Sequence, residues 1–91
     1  MNTSYFEATP AQKQLAQIGR DMMDFSENYG KIHGLKDVTD DGLRTLNSLS
    51  QVGYMLTTFG ASYGASVSSF SAEEKELISK FMQKTVDIER K

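Results

Sequence analysis

Asp37, Thr39 and Asp41 place oxygen-bearing side chains at alternate positions, and Gly42 follows directly. An EF-hand calcium loop opens this way, with ligands at positions 1, 3 and 5 and a glycine at 6 for the sharp turn. The pattern then breaks. Position 8, usually apolar, is Arg44, and position 12, where a bidentate glutamate closes the coordination sphere, is Ser48. Helix capping accounts for the same residues. Thr39 suits an N-cap, and Asp40 and Asp41 then fall in a first turn, where the positive end of the helix dipole favours carboxylates. Calcium is therefore not expected to bind at 37–48.

Other chemistry-bearing groups are sparse. His33 is the single histidine, and there is no cysteine, so neither thiolate ligands nor a second imidazole can join it. It reads as an exposed loop side chain. Asp21, Asp24 and Glu27 recur at spacings of three, on one side of a helix. Paired carboxylates can do acid–base work or hold a metal, but a row of this kind is better read as a solvated face. There is no Ser-His-Asp order and no Gly-x-Ser-x-Gly elbow, so no nucleophile comes with its base. The sequence points away from an enzyme and implies no cofactor and no metal.

Five basic groups lie near one short stretch: Arg20, Lys31, His33, Lys36 and Arg44. They are the candidate contacts for a partner or for an anionic, nucleotide-like ligand. The run Gly30-Lys31-Ile32-His33-Gly34 lacks the length and the Ser/Thr of a phosphate loop.

The elements that must carry these groups are helical, and the most informative is free of charge. Between Arg44 and Glu73 no residue is charged, over 28 positions, in a chain of 91 residues of which 24% are charged. A solvated helix normally carries charge on its outer face, so such a stretch is expected to be covered on most sides. Net charge is −2 and no segment is basic, which removes the electrostatic footprint of a nucleic-acid binder. The first residues show no basic and apolar signal-peptide pattern. The expected compartment is the cytoplasm, and secretion by another route stays compatible with the sequence.

Residues 1–8 read as a flexible arm and 9–91 as a single helical domain. Thr9, Pro10 and Gln12 fit N-cap, N1 and N3 of a first helix. Ala11, Leu15, Ile18, Met22, Phe25 and Tyr29 follow as one heptad stripe, with Gly30 as the expected left-handed stop. Gly19, mid-helix, costs roughly 1 kcal/mol relative to alanine and marks a close crossing. A connector spans 30–38. The second helix carries a bulky stripe (Leu46, Leu49, Val52, Leu56, Phe59, Tyr63, Val67, Phe70) beside a smooth one (Ser50, Gly53, Thr57, Gly60, Gly64, Ser68). Continuous from 40 to 70, it is the longest element, roughly 45 Å. Ser71 to Glu74 forms a capping box for a third helix, with Leu77, Ile78, Phe81, Met82, Thr85 and Ile88 inward and Arg90-Lys91 at its end. Tyr5, Phe6, Tyr54 and Met55 fall off the main stripes, as interface residues do.

The expected fold is all-α: a small bundle of two to three helices with a long central helix, completed by oligomerisation, which small domains often need. The expected self-association seam is Leu49, Gly53, Leu56, Phe59, Gly60, Tyr63 and Gly64, and a dimer is the commonest closed form. No family motif is matched; the plan is common among small bacterial and phage accessory proteins. The expected function is non-enzymatic: an adaptor, inhibitor or assembly subunit acting on another protein. The alternatives are a binder of a small anionic ligand at a protomer interface, and a secreted or membrane-active assembly subunit. Ser and Thr interrupt the central stretch too often for a membrane span.

Overall fold

The computed structural model describes residues 10–62 and 70–91, with backbone alone at 59–62. It is all-α: α1 (Pro10–His33), α2 (Asp40–Ser62) and α3 (Ala72–Met82). Among the described residues the one β-type pairing is an isolated antiparallel bridge between Val38 and Arg90. The expected arm at 1–8 and the Thr9 cap lie outside the described residues.

The connector at 34–39 is short enough to force α1 and α2 into an antiparallel hairpin. Their stripes meet in a core of Met22, Leu49, Val52 and Leu56, joined by Phe70 and by Ile78 of α3. Leu15, Ile18 and Phe25 pack against its edge. At the crossing Gly19 faces Gly53, so the mid-helix glycine does mark a close approach. A Cβ on Gly19 would stand 2.5 Å from the Gly53 carbonyl oxygen and 2.8 Å from Thr57 Oγ1. Thr57 turns its hydroxyl back to donate to that same carbonyl at 2.7 Å. Near the other end of the hairpin the Ser26 hydroxyl donates to the Leu46 carbonyl at 2.7 Å, stitching the two helices directly.

Two boundaries differ from the sequence reading. First, α1 runs past Gly30 to His33, and Gly34, at φ 73°, is the left-handed residue. Its N–H donates to the Gly30 carbonyl at 3.0 Å, an αL cap set one helical turn later than expected. Gly30 instead lies within the helix, with Leu35 folded back over it at a distance that a Cβ would meet as an ordinary contact.

Second, α3 stops at Met82, well short of Arg90. Lys84 takes φ 58°, the Lys84 N–H donates to the Phe81 carbonyl, and the Thr85 N–H donates to the Lys80 carbonyl. Those two bonds make a Schellman motif with lysine where glycine usually sits. Residues 83–91 then form an extended strap that packs Val86 and Ile88 against the core. Thr85 and Ile88 are therefore not on a helix face. The N-terminal capping box of α3 stands as read: Ser71 Oγ accepts from the Glu74 N–H, and the Ser71 N–H donates to Glu74 Oε1 at 2.8 Å.

The expected length of α2 is not decided by its described part, which has 23 residues beside the 24 of α1. Its expected passage through 63–69 lies outside the described residues. Phe70, read as the last turn of α2, sits in a bend and is buried all the same.

The strap returns to the hairpin's closed end. The Thr39 N–H donates to the Glu89 carbonyl at 3.0 Å and the Lys91 N–H to the Asp37 carbonyl at 2.6 Å. Gly42 is buried because the Glu89 backbone passes over it; a Cβ there would also stand 2.7 Å from Val38 Cγ1. The glycine that imitated a calcium-loop turn is thus a point of close backbone approach. Thr39 Oγ1 accepts from the Gly42 N–H at 3.1 Å, as an N-cap does, and 40–48 is helical throughout.

Candidate functional site

The described ionisable side chains sit at or near the surface. Among the described residues no polar or charged side chain is buried, and no three of His, Cys, Asp and Glu converge as metal ligands would. Among the described residues, no helix is long and apolar enough to cross a membrane.

The five candidate basic contacts do not gather in one place. Arg20 donates to Gln17 Oε1 on α1, eleven residues before Lys31, or about 16 Å along the axis. Lys31 pairs with Glu27 at 3.1 Å, one turn back on the same helix. His33 is exposed and stacks on Tyr29, ring centroids 4.7 Å apart. Lys36 lies in the turn between α1 and α2. Arg44 pairs with Asp41 and lines a hollow of about 270 Å³ with Glu73 and Glu74. Lys31, His33 and Lys36 share the hairpin tip; Arg20 and Arg44 stand apart from it.

The tip contains a group that spacing alone did not reveal. Phe25, Tyr29 and His33 form a ladder along α1, with centroids 6.0 Å and 4.7 Å apart, and Phe81 meets Phe25 edge-on at 5.9 Å. Arg90 lies over the Tyr29 ring, donates to the Tyr29 hydroxyl at 3.1 Å and reaches the His33 carbonyl at 3.5 Å. A cation therefore does sit at a helix C-terminus, where the dipole favours it, but the helix is α1. The extended strap crosses this end, so the connector is partly covered by the chain's own backbone.

Three seam residues are spent inside the protomer. Leu49 is 0% and Leu56 2% exposed, and Gly53 is buried against Gly19. The smooth stripe serves the α1–α2 crossing, because two helices pack this closely only where one offers no side chain. Phe59 and Gly60 belong to α2, described there by backbone alone, and Tyr63 and Gly64 lie outside the described residues.

Among the described residues a broad concave surface runs between α1 and α3. It is a groove of about 710 Å³, walled by Ala11, Gln14, Leu15 and Ile18 on one side and by Lys75, Ile78, Ser79 and Met82 on the other. Each wall is one i, i+3, i+4, i+7 stripe, spanning about 10 Å of helix axis. Ile78 is buried and forms the floor; Met82 is 56% exposed at the rim. Sequence reading had put Leu15, Ile18, Ile78 and Met82 on inward faces. Leu15, Ile18 and Ile78 do pack toward the core, whereas Met82 stands exposed at the rim, and among the described residues the short α3 leaves the N-terminal half of α1 incompletely covered. No protein family, no curated protein and no solved structure matches this chain.

Proposed function

We propose that this chain is a non-catalytic helical adaptor, inhibitor or assembly subunit that seats an apolar helix of a partner protein between α1 and α3. The observation that carries this reading is the groove itself. Two helical walls, each carrying two large apolar side chains (Leu15 and Ile18, Ile78 and Met82), leave a space shaped for a third helix, and helix-in-groove recognition uses this arrangement. The rim chemistry narrows the partner. Gln14, Ser79 and Gln83 are uncharged, and Lys75 is the one charged residue among the described lining. The partner helix accordingly carries an apolar stripe at i, i+3 or i+4 and i+7, with an acidic residue beside it to meet Lys75.

At the groove rim Met82 is 56% exposed, an apolar side chain that a seated partner helix would cover. The test is Met82→Glu, which puts a carboxylate into the groove without entering the core. Helicity should be unchanged, and affinity for the partner's helical segment, made as a synthetic peptide, should fall at least about tenfold. Undiminished affinity would remove the groove from the contact.

A further inference from the structure

We infer that the segment directly ahead of α1, Tyr5-Phe6-Glu7-Ala8, seats itself in the α1–α3 groove while the chain is alone, with Phe6 as its anchor, and that a partner helix must displace it. The inference rests on the reading of this groove as a seat for an apolar segment. Residues 1–9 lie outside the described residues, but the point where they enter the fold does not. Pro10 opens α1, and Ala11, the next residue, already walls the groove. From Ala11 to Ile18 that wall rises about 10 Å. Phe6 stands four residues ahead of Pro10. An extended chain covers at most about 3.3–3.6 Å per residue, so a return along α1 takes Phe6 about 13 Å. That is the level of Leu15 and Ile18, between which and α3 the groove lies.

The chemistry of the segment matches what it would meet. Tyr5 and Phe6 are aromatic, and the large apolar side chains of the groove are Leu15, Ile18, Ile78 and Met82. Glu7 is the one charged side chain among residues 1–9, and Lys75 is the one charged side chain among the described lining. Their signs are opposite. An acid beside an apolar anchor is also what the groove asks of a partner helix, so the chain carries that pattern in its own sequence. Both aromatic residues precede the α1 cap, and no helical stripe accounts for them. A segment held by a short tether meets its site at an effective concentration of millimolar order. Modest contacts then suffice to fill the groove. The segment shields Leu15 and Ile18 until a helix arrives that binds more tightly than it does, which sets a threshold for the partner.

The chain has no cysteine, so Thr3→Cys gives a single attachment point for a nitroxide spin label on the otherwise unaltered full chain. Paramagnetic broadening is read on the backbone amides with no partner present. Ile18, Ile78 and Met82 should lose most of their signal, and Tyr29 and Leu43, toward the hairpin tip, should keep theirs. Adding Tyr5→Ser and Phe6→Ser to the labelled chain should restore Ile78 and Met82, with helicity by circular dichroism unchanged. Full signal at Ile78 and Met82 in the labelled chain would overturn the inference, as it would if Tyr5 and Phe6 served a foreign partner only. Broadening that survives the loss of both aromatic residues would overturn it too. The label reads the segment alone, so either failure leaves the partner reading standing, and that reading fails separately if a partner peptide does not seat on the groove.

Discussion

Gly19 and Gly53 face each other across the α1–α2 crossing, and each leaves space for the other's carbonyl. A Cβ on Gly19 would stand 2.5 Å from the Gly53 oxygen, and a Cβ on Gly53 would stand 2.6 Å from the Gly19 oxygen. Both obstacles are backbone, which cannot rotate away. Gly19→Ala and Gly53→Ala should each destabilise the fold by about 1–3 kcal/mol, the usual cost of overpacking, despite the roughly 1 kcal/mol that alanine gains in helix propensity. The pair should be less than additive, since the first substitution already separates the helices. Urea midpoints of the two single variants and the double variant check this.

Lys84 holds a left-handed conformation that costs a non-glycine residue about 1–2 kcal/mol. Lys84→Gly should therefore raise stability by about 1 kcal/mol while preserving the Schellman bonds. Thermal unfolding followed by circular dichroism measures it. A midpoint below that of the wild type would show that the lysine side chain contributes more than its backbone strain costs.

Arg90 ties the strap to the hairpin through Tyr29, the His33 carbonyl and Asp37, the last at 3.8 Å. The Asp37 pair is mostly solvated, so its own share is about 0–1 kcal/mol. Arg90→Met should loosen the strap locally without unfolding the core. Amide exchange at Thr39, whose N–H donates to Glu89, should quicken. Exchange at Leu49 and Leu56 should not change. Gly42→Ala should have the larger effect on stability, because its Cβ would run into the Glu89 backbone.

Much of the fold was legible because the signals were local. The Ser71–Glu74 capping box, the Thr39 cap and the heptad stripes of α1 and α2 are each fixed by residues within a turn or two. What failed depended on distant backbone. Gly30 and Gly34 are equally good stops by type, and spacing alone does not choose between them. No glycine, asparagine or proline marks the end of α3, so a lysine in a left-handed cap was invisible. Gly53 was visible as a small residue, but which helix it admits is a tertiary question, and α1 won. The stripe that read 4, 3, 4, 3, 4 continues to His33, and following it past Gly30 would have found the aromatic ladder.

The site was less legible than the fold. The basic groups looked adjacent in sequence because the connector appeared to gather them, whereas the helices spread Arg20 and Arg44 away from the tip. Leu15, Ile18 and Ile78 were recognisable as inward-facing, whereas Met82, read the same way, is exposed at the rim. That they leave a groove follows from how little of α1 the eleven-residue α3 can cover, which spacing does not encode.

The central claim is that a partner helix lies between α1 and α3, and chemical-shift mapping tests it most directly. The isotope-labelled chain is titrated with the partner's helical segment as a peptide, and backbone amide shifts are followed residue by residue. The account predicts that the largest changes fall on 11–18 and 75–82, with the peptide gaining helicity as it binds. Changes centred on the connector at 34–39, or spread evenly over the exposed helical faces, would contradict it.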